Sequence, residues 1–308
     1  MTSTYEFEYL NLLANTIRYG DHRQDRTGVG TLSRFGGSIS ADLLEGFPIL
    51  TTKSVPFKAV LSELLWFIEG SGDERRLCEI LHGTRDLEKR TIWSPNADHT
   101  TGSAYTPKYY GDLGRVYGVQ WRSWRVFNEL YELGDDNEKL FTGLYQPSIQ
   151  SVDQLAEVIH KIKNNPTDRR IIMTAWNPGE LKDMALPPCH MFAQFYVDND
   201  DGLTCQVYMR SIDIFLGLPF NVASYALLTH MIAHVTGKIA KRVTIVFGDA
   251  HVYMNHIEQA DIQLDREPRA LPHLLMNGSP ETIDDFEMGS FSLSGYDPHP
   301  AIKAPMAA

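Results

Sequence analysis

The segment from Ala185 to Val197 constrains the fold more than any other part of the chain. Two prolines, Pro187 and Pro188, restrict the backbone, and Cys189 follows them directly. The residues after the cysteine, HMFAQFYV, are rich in aromatic side chains and predict a buried strand. The thiol is therefore held in place, and a nearby cation or hydrogen-bond donor would lower its pKa and make it a nucleophile. The alternative is that Cys189 is a small buried hydrophobe, the commoner fate of a free cysteine.

A second predicted strand, Leu203 to Arg210, alternates strictly between apolar and polar side chains. Cys205 lies on the apolar face of this strand and is expected to be structural. Arg210 leaves the strand on its polar face, directly before Ser211. A guanidinium fork beside a hydroxyl is a good combination for binding phosphate.

The remaining periodicity predicts both helices and strands. Helices are predicted at Thr4 to Tyr19, Phe57 to Glu69 and Val222 to Thr236, and another after a capping box of Ser151 and Gln154. Strands are predicted at Gly30 to Ile39, Phe47 to Thr52, Ile171 to Trp176 and Arg242 to Phe247. No Gly/Ser-rich or Pro-rich linker divides the chain, so one domain over 1–308 is expected, with polar insertions at about 97–110 and 125–147.

Glu63 is a candidate for proton transfer. It lies within the strongly apolar predicted helix Phe57 to Glu69, where a carboxylate has either a raised pKa or a dedicated partner. The periodicity also allows a solvated position for Glu63, on the polar stripe beside Lys58 and Ser62.

Two further segments carry arginines that could bind an anion. The Gly-rich turn DRTGVGT contains Arg26, although a simple hairpin entry explains this turn equally well. Arg169 and Arg170 open a predicted strand and point in opposite directions, so both serve one anion only if they reach across an interface or around an edge. Taken alone, they are a surface charge pair.

The charge and cysteine content exclude several classes of protein. A net charge of −11 argues against a nucleic-acid wrapping protein or a protein lying on anionic lipid. Three cysteines without CxxC spacing indicate neither a disulfide framework nor a zinc site. His230 and His234 have the i, i+4 spacing of a metal pair but no third ligand, so no metal is expected. Neither a signal peptide nor a membrane span is visible, and a cytoplasmic protein is expected.

Taken together, six ordered motifs resemble the thymidylate synthase family from about Tyr9 onward. They are DRTGxGT, PPCH, RSxD, GLPFN, GDAHxY and the YDPHP tail. The resemblance implies an α/β fold with a large mixed sheet, through which two subunits pack as a homodimer. Arg169 and Arg170 would then cross the interface to the partner's phosphate site.

The resemblance also implies the substrates, dUMP and methylenetetrahydrofolate, and the order of the chemistry. Cys189 would add to C6 of uracil, because C5 is a poor nucleophile until an enolate forms. Glu63 would organise water and proton transfer, Tyr117 would help to remove the C5 proton, and tetrahydrofolate would then deliver a hydride. Asn221 would read the base, since its amide can donate to O4 and accept from N3–H.

The same resemblance assigns the other binding residues. The predicted catalytic set is Cys189, Glu63, Tyr117, Asp213 and Asn221. The predicted substrate-binding set is Arg26, Arg169, Arg170, His190, Gln206, Arg210, Ser211, Asn221, His251 and Tyr253. The predicted folate-binding set is Lys53, Ile92, Trp93, Asp213, Leu216, Gly217, Phe220 and Ala307.

Several departures from the family pattern leave an alternative product open. Met209 replaces a usual glutamine, Ser54 a usual arginine, and Ala307-Ala308 a branched terminal residue. A dUMP hydroxymethylase, in which water captures the exocyclic methylene, is therefore the alternative, because the outcome depends on exclusion of water. A non-catalytic nucleotide-binding protein is less favoured, since the catalytic set is intact. A generic cysteine hydrolase is weaker still, since no oxyanion-hole signature is present.

Overall fold

A mixed sheet of six strands organises the described part of the chain. The computed structural model describes residues 4–25, 27–98, 105–133 and 139–306, with the backbone alone for 128–133 and 139–149. The strand order in the sheet is β1-β2-β8-β7-β6-β5. These strands are β1 (Asp21–Arg23), β2 (Thr31–Asp42), β5 (Ile172–Thr174), β6 (His190–Val197), β7 (Gly202–Asp213) and β8 (Ile239–Tyr253). The expected large mixed sheet is confirmed.

Helices pack against this sheet or against one another. They are α1 (Thr4–Tyr19), α2 (Phe57–Ile68), α3 (Glu74–His82), α4 (Ser94–Ala97), α5 (Tyr117–Arg122), α6 (Gln154–Asn164), α7 (Gly217–Thr236) and α8 (Ile257–Leu264). Two smaller antiparallel pairs lie outside the main sheet: β3 (Trp124–Leu133) with β4 (Lys139–Val152), and β9 (His273–Met276) with β10 (Phe291–Ser294).

The strands that contain the residues after Cys189 and the segment up to Arg210, β6 and β7, are neighbours in the sheet, and β7 is one of its two middle strands. The apolar face of β7, which includes Cys205 and Met209, is buried, whereas Gln206 and Tyr208 on its other face are exposed. β7 pairs with β6 in antiparallel orientation and with β8 in parallel. The helix α7 makes the crossover between β7 and β8 and is buried along most of its length.

α7 begins five residues earlier than the sequence suggests, at Gly217 rather than at Val222. The segment that reads as an apolar turn is therefore the first turn of the helix. Gly237, in the left-handed conformation, ends the helix as expected.

The strand expected at Phe47 to Thr52 is wrong. These residues are buried but do not join a ladder: the carboxylate of Glu6 accepts the backbone donors of Thr51 and Thr52, and the Phe47 amide donates to the Pro272 carbonyl. Glu6 Oε1 accepts from the amides of Thr51 at 2.8 Å and Thr52 at 2.6 Å. A buried charged acceptor thus replaces a neighbouring strand.

The start of α6 also differs from the expectation. The capping residue is Asp153, whose Oδ1 accepts from the amide of Ala156 at 2.9 Å, and Ser151 lies in β4 instead. The expected buried face of this helix is confirmed by Leu155, Val158 and Ile162.

The predicted polar insertion at 125–147 has regular structure where the structure describes it. It forms most of the β3–β4 hairpin, whose register shifts twice. Residues 134–138 of this segment and 99–104 of the other predicted insertion lie outside the described residues. Among the described helices, none combines the length and the apolarity that crossing a bilayer requires.

Candidate active site

A cleft of about 480 Å³ opens beside the carboxyl end of β7. It is bounded by α2, α3, the turn before β6, the end of β7, the first turn of α7 and the end of β8. The predicted site residues that line it are Glu63, Ile92, Trp93, Tyr117, Cys189, His190, Ser211, Asp213, Leu216, Gly217, Phe220, Asn221 and Tyr253. Residues from widely separated segments are therefore brought to one surface.

Cys189 is held at the edge of β6 by its own backbone. Its amide donates to the Tyr117 hydroxyl at 2.8 Å, and its carbonyl accepts from the Arg210 amide at 2.9 Å. The Sγ atom lies 3.7 Å from a terminal guanidinium nitrogen of Arg210. Burial raises the pKa of the Cys189 thiol, and the Arg210 charge and Tyr117 oppose that rise.

The two prolines before the cysteine orient Arg210. Its Nε donates to the Pro188 carbonyl at 2.9 Å, and its Nη2 donates to the Pro187 carbonyl at 2.9 Å. The guanidinium also lies over the Trp176 ring, 5.7 Å from the ring centroid. The arginine is thus fixed in direction before any anion binds.

Glu63 faces the cleft from α2 and has a dedicated partner. The indole N–H of Trp93 donates to Glu63 Oε1 at 2.7 Å. Burial raises the pKa of Glu63 to about 7, while the hydrogen bond from Trp93 lowers it. Of the two positions allowed by the periodicity, Glu63 occupies the one inside the cleft rather than the solvated one.

Tyr117 and His190 form a stacked pair behind the cysteine. Their ring centroids are 4.0 Å apart, and His190 Nδ1 lies 2.7 Å from the hydroxyl of the buried Tyr225. Burial lowers the pKa of His190 to about 3, so this imidazole is neutral at physiological pH. Burial likewise raises the pKa of Tyr117 well above its usual value. Tyr117 also has a positive φ of 21°, which is uncommon for a residue with a side chain.

The start of α7 presents Asn221 to the cleft, and Asp213 fixes the turn before it. Asp213 Oδ1 accepts from the amides of Phe215 at 2.8 Å and Leu216 at 3.1 Å. These bonds set the direction in which the helix leaves the sheet. Gly217 stands beside Asn221, since an added Cβ there would lie 3.6 Å from the Asn221 Oδ1 atom.

The parallel pairing of β7 and β8 brings the GDAHxY motif to the same place. Asp213 is opposite His251 in this register. Asp249 Oδ1 lies 2.9 Å from His251 Nδ1, and His251 packs edge-on against Tyr253 with ring centroids 5.2 Å apart. Tyr253 lines the cleft, whereas His251 lies behind it and is nearly buried.

Six of the predicted binding residues that the structure describes do not line the cleft: Arg210 and His251, which lie next to it, and Lys53, Gln206, Arg169 and Arg170. Lys53 is buried, donates to the Phe215 carbonyl and lies over the Phe215 ring, and burial lowers its pKa to about 7. Gln206 is exposed on the outer face of the sheet. Arg169 and Arg170 are exposed just before the edge strand β5, and Arg170 pairs with Asp168 at 3.1 Å.

Two other predicted residues, Arg26 and Ala307, lie outside the described residues. Hydrogen bonds are described on either side of Arg26. Asp25 accepts from the amides of Thr27 at 3.1 Å and Gly30 at 2.9 Å.

Some cleft residues were not predicted from the sequence. They include Leu77, Leu81, Asn96, Met209 and Met306. Leu77 and Leu81 lie one turn apart on α3, and a helical signal was available there, since Asp73 caps the helix and Gly83 ends it. Met306 could not be foreseen, because the course of the tail depends on tertiary contacts.

No cluster of three or more potential metal ligands from His, Cys, Asp and Glu occurs within residues 4–25, 27–98, 105–133 and 139–306.

Comparison with known proteins gives one consistent result. A family model described as thymidylate synthase matches residues 7–308. The human protein named thymidylate synthase is 48% identical over 98% of this chain and 90% of its own length. The Listeria monocytogenes protein of the same name is 42% identical over 97% of this chain and 99% of its own length. A bifunctional dihydrofolate reductase-thymidylate synthase from Arabidopsis thaliana is 48% identical over 98% of this chain, which spans 50% of that longer protein.

Proposed function

Because this chain belongs to the thymidylate synthase family, we propose that it is a methyltransferase that converts dUMP to dTMP with methylenetetrahydrofolate as co-substrate. The observation that carries the proposal is the position of Cys189. Its thiol lies in a cleft 3.7 Å from Arg210 and is surrounded by the side chains that the family motifs contribute.

Cys189 begins the reaction by adding its sulfur to C6 of the uracil ring. The addition turns C5 into an enolate carbon, which can attack the one-carbon unit of the folate. The thiol is largely protonated in the free site, because burial raises its pKa. Its proton must therefore leave as the sulfur attacks. The guanidinium beside the Sγ atom stabilises the thiolate as it forms.

The nucleotide phosphate binds at Arg210 and Ser211. Two proline carbonyls already orient Arg210, so little side-chain entropy is lost when an anion binds. Arg26 contributes from its Gly-rich turn. His251 and Tyr253 hydrogen-bond the sugar hydroxyl, and the contact with Asp249 fixes the imidazole of His251.

Asn221 selects uracil. An amide can donate to O4 and accept from N3–H, whereas a carboxylate would accept from the amino group of cytosine. The side chain projects from the first turn of α7 into the cleft.

Glu63 and Tyr117 take part in the proton transfers. A carboxyl with a pKa near 7 can both give and take a proton at physiological pH, and that of Glu63 is raised to about 7. Tyr117 keeps its own proton because burial raises its pKa, so it helps to remove the proton from C5 by positioning the base rather than by acting as the base. His190, which is neutral and stacked on Tyr117, fixes the position of that ring.

The folate binds along the apolar side of the cleft. Ile92, Trp93, Leu216 and Phe220 form this wall. Trp93 also shields the methylene intermediate from water, so that hydride rather than water completes the reaction. Lys53 is reserved for the polyglutamate end of the folate and must leave the Phe215 carbonyl to reach it.

The active unit is a homodimer that packs through the outer face of the sheet. Phe35 is 81% exposed there, and Tyr196 and Tyr208 are exposed on the same sheet. Exposed aromatic residues of this kind are typical of an interface. Arg169 and Arg170 are then free to reach the partner's phosphate.

The hydroxymethylase alternative gains no support from the comparisons, because the relatives carry the name thymidylate synthase.

The test is a reaction of purified protein with dUMP and methylenetetrahydrofolate. Dihydrofolate is followed by absorbance, and the nucleotide product is weighed by mass spectrometry. A methylated nucleotide formed together with dihydrofolate supports the proposal. A hydroxymethylated nucleotide without dihydrofolate contradicts it.

A further inference from the structure

The C-terminal tail reaches the cleft along a course that several side chains fix. The Tyr296 hydroxyl donates to the Leu50 carbonyl at 2.9 Å, and the His299 amide donates to the Thr51 carbonyl at 2.7 Å. Arg266 donates to the Pro300 carbonyl at 2.7 Å. The tail then continues to Met306, which lines the cleft.

Beyond Pro300, the tail is held by His256. Its Nε2 lies 2.6 Å from the Pro305 carbonyl, one residue before Met306. Ile302 and Ala304 pack against the core between these two points. His256 is fully buried, so water does not compete for this hydrogen bond.

The position of His256 links the tail to both sides of the cleft. It ends the short 3-10 turn Met254–His256 that follows β8, only three residues after Tyr253. Its ring is 5.6 Å from the Tyr253 ring and 5.6 Å from the Phe215 ring, measured between centroids. Phe215 directly precedes the cleft residues Leu216 and Gly217.

The chemistry of this contact selects one tautomer. A carbonyl oxygen only accepts, so Nε2 must carry the hydrogen. Nδ1 is buried and has no hydrogen-bond partner among the described residues. Nε2–H is therefore the donor that this contact requires.

We propose that His256 is a positioning residue: its Nε2–H holds Pro305 and thereby sets the end of the tail, including Met306, against the folate side of the cleft. This inference rests on the proposed function, because the expected effect on folate use assumes that the cleft binds the folate. It predicts that loss of this one donor weakens folate use while leaving nucleotide binding intact.

The test compares three variants with the wild-type enzyme. His256→Phe keeps the ring packing but removes the donor and leaves a buried carbonyl unpaired. His256→Gln places an amide N–H at the position of Nε2. His234→Phe is the matched control, because His234 Nε2 makes the same kind of contact, 3.0 Å from the Pro280 carbonyl, at the far end of α7.

His256→Phe should raise the KM for methylenetetrahydrofolate about tenfold. A change of this order is expected when one partner of a buried hydrogen bond is removed and the other is left unpaired. Its dissociation constant for dUMP should stay within about twofold of wild type. His256→Gln should restore the KM, and His234→Phe should leave it unchanged. Equal folate KM values in all three variants would overturn the proposal.

A second measurement does not depend on turnover. Carboxypeptidase should release the C-terminal residues several-fold faster from His256→Phe than from His256→Gln or the wild type, under conditions where all three are folded by circular dichroism. Equal release rates would show that His256 does not hold the tail. If no dTMP forms in any protein, the proposed function fails, but the release rates still decide whether the contact exists.

Discussion

Trp93 donates its indole N–H to Glu63 at 2.7 Å, and this hydrogen bond joins the wall of the cleft to its titratable carboxyl. The bond stabilises the charged form of Glu63 against the burial that raises its pKa to about 7. The tryptophan thus has two roles in the proposed mechanism: it excludes water, and it keeps the carboxyl poised for proton transfer.

Trp93→Phe should move the pH dependence of the reaction. Without the indole donor, the pKa of Glu63 rises above about 7, so the limb of the kcat/KM profile that reports this group should shift to higher pH. The measurement is kcat/KM against pH for dUMP with saturating folate. Glu63→Gln is the control, because it should remove that limb altogether. If the limb does not shift in Trp93→Phe, Glu63 is not the group whose titration produces it.

Glu63→Gln should also stabilise the fold at alkaline pH. The carboxyl has a folded-state pKa of about 7, raised from 4.5, so the folded protein binds the proton more tightly than the unfolded chain does. Stability therefore falls as the pH rises from 4.5 to 7, and glutamine removes this penalty. We expect a gain of up to about 3 kcal/mol in the free energy of unfolding at pH 8 and little difference at pH 4. Urea titration at both pH values checks the result.

Cys189→Ala should abolish turnover without preventing nucleotide binding. The substitution removes the sulfur that adds to C6 in the proposed mechanism but leaves Arg210 held by the proline carbonyls. Calorimetry with dUMP and an assay for dTMP measure the two effects. Cys78→Ala is the control, since Cys78 is a buried residue of α3 that does not line the cleft. Retained turnover in Cys189→Ala would contradict the assignment of the nucleophile.

Arg210→Lys should weaken the binding of dUMP at least about tenfold, although the charge is conserved. A lysine cannot donate to the two proline carbonyls and still present a fork to the phosphate. Deoxyuridine, which has no phosphate, should bind equally well to both proteins. The matched control is Arg242→Lys, on the neighbouring strand, where the guanidinium pairs with Asp42 at 3.6 Å. Equal losses for dUMP and deoxyuridine would indicate a general defect of the fold.

Complementation should test the dimer and its shared sites. Cys189→Ala and the double variant Arg169→Ala/Arg170→Ala should each be inactive or strongly impaired. A mixture, unfolded and refolded together, should recover about a quarter of the wild-type activity, because mixed dimers contain one intact site. Phe35→Glu, in the outer face of the sheet, should yield monomers by analytical ultracentrifugation. If the mixtures contain mixed dimers but recover no activity, both arginines lie outside the partner's site.

The sequence by itself determined the local elements and the types of side chain available for chemistry. Alternation along β7 and helical spacing along α2 required only neighbouring residues, because burial of one face enforces the period of each element. The prolines before Cys189 marked a restricted backbone, and the ordered motifs pointed to the family. The strand expected at 47–52 does not form, because its donors go to groups that lie elsewhere in the chain: the amides of Thr51 and Thr52 donate to Glu6, and the Phe47 amide donates to the Pro272 carbonyl.

Only the tertiary structure decided which of these residues meet. The parallel register of β7 and β8 places His251 opposite Asp213, and no local pattern specifies a pairing across a helical crossover. The orientation of Arg210 by two proline carbonyls, the contact of Trp93 with Glu63 and the hold of His256 on Pro305 are all long-range contacts. Their geometry depends on how the sheet and the helices pack as a whole, because each bond joins groups that the chain alone does not keep together.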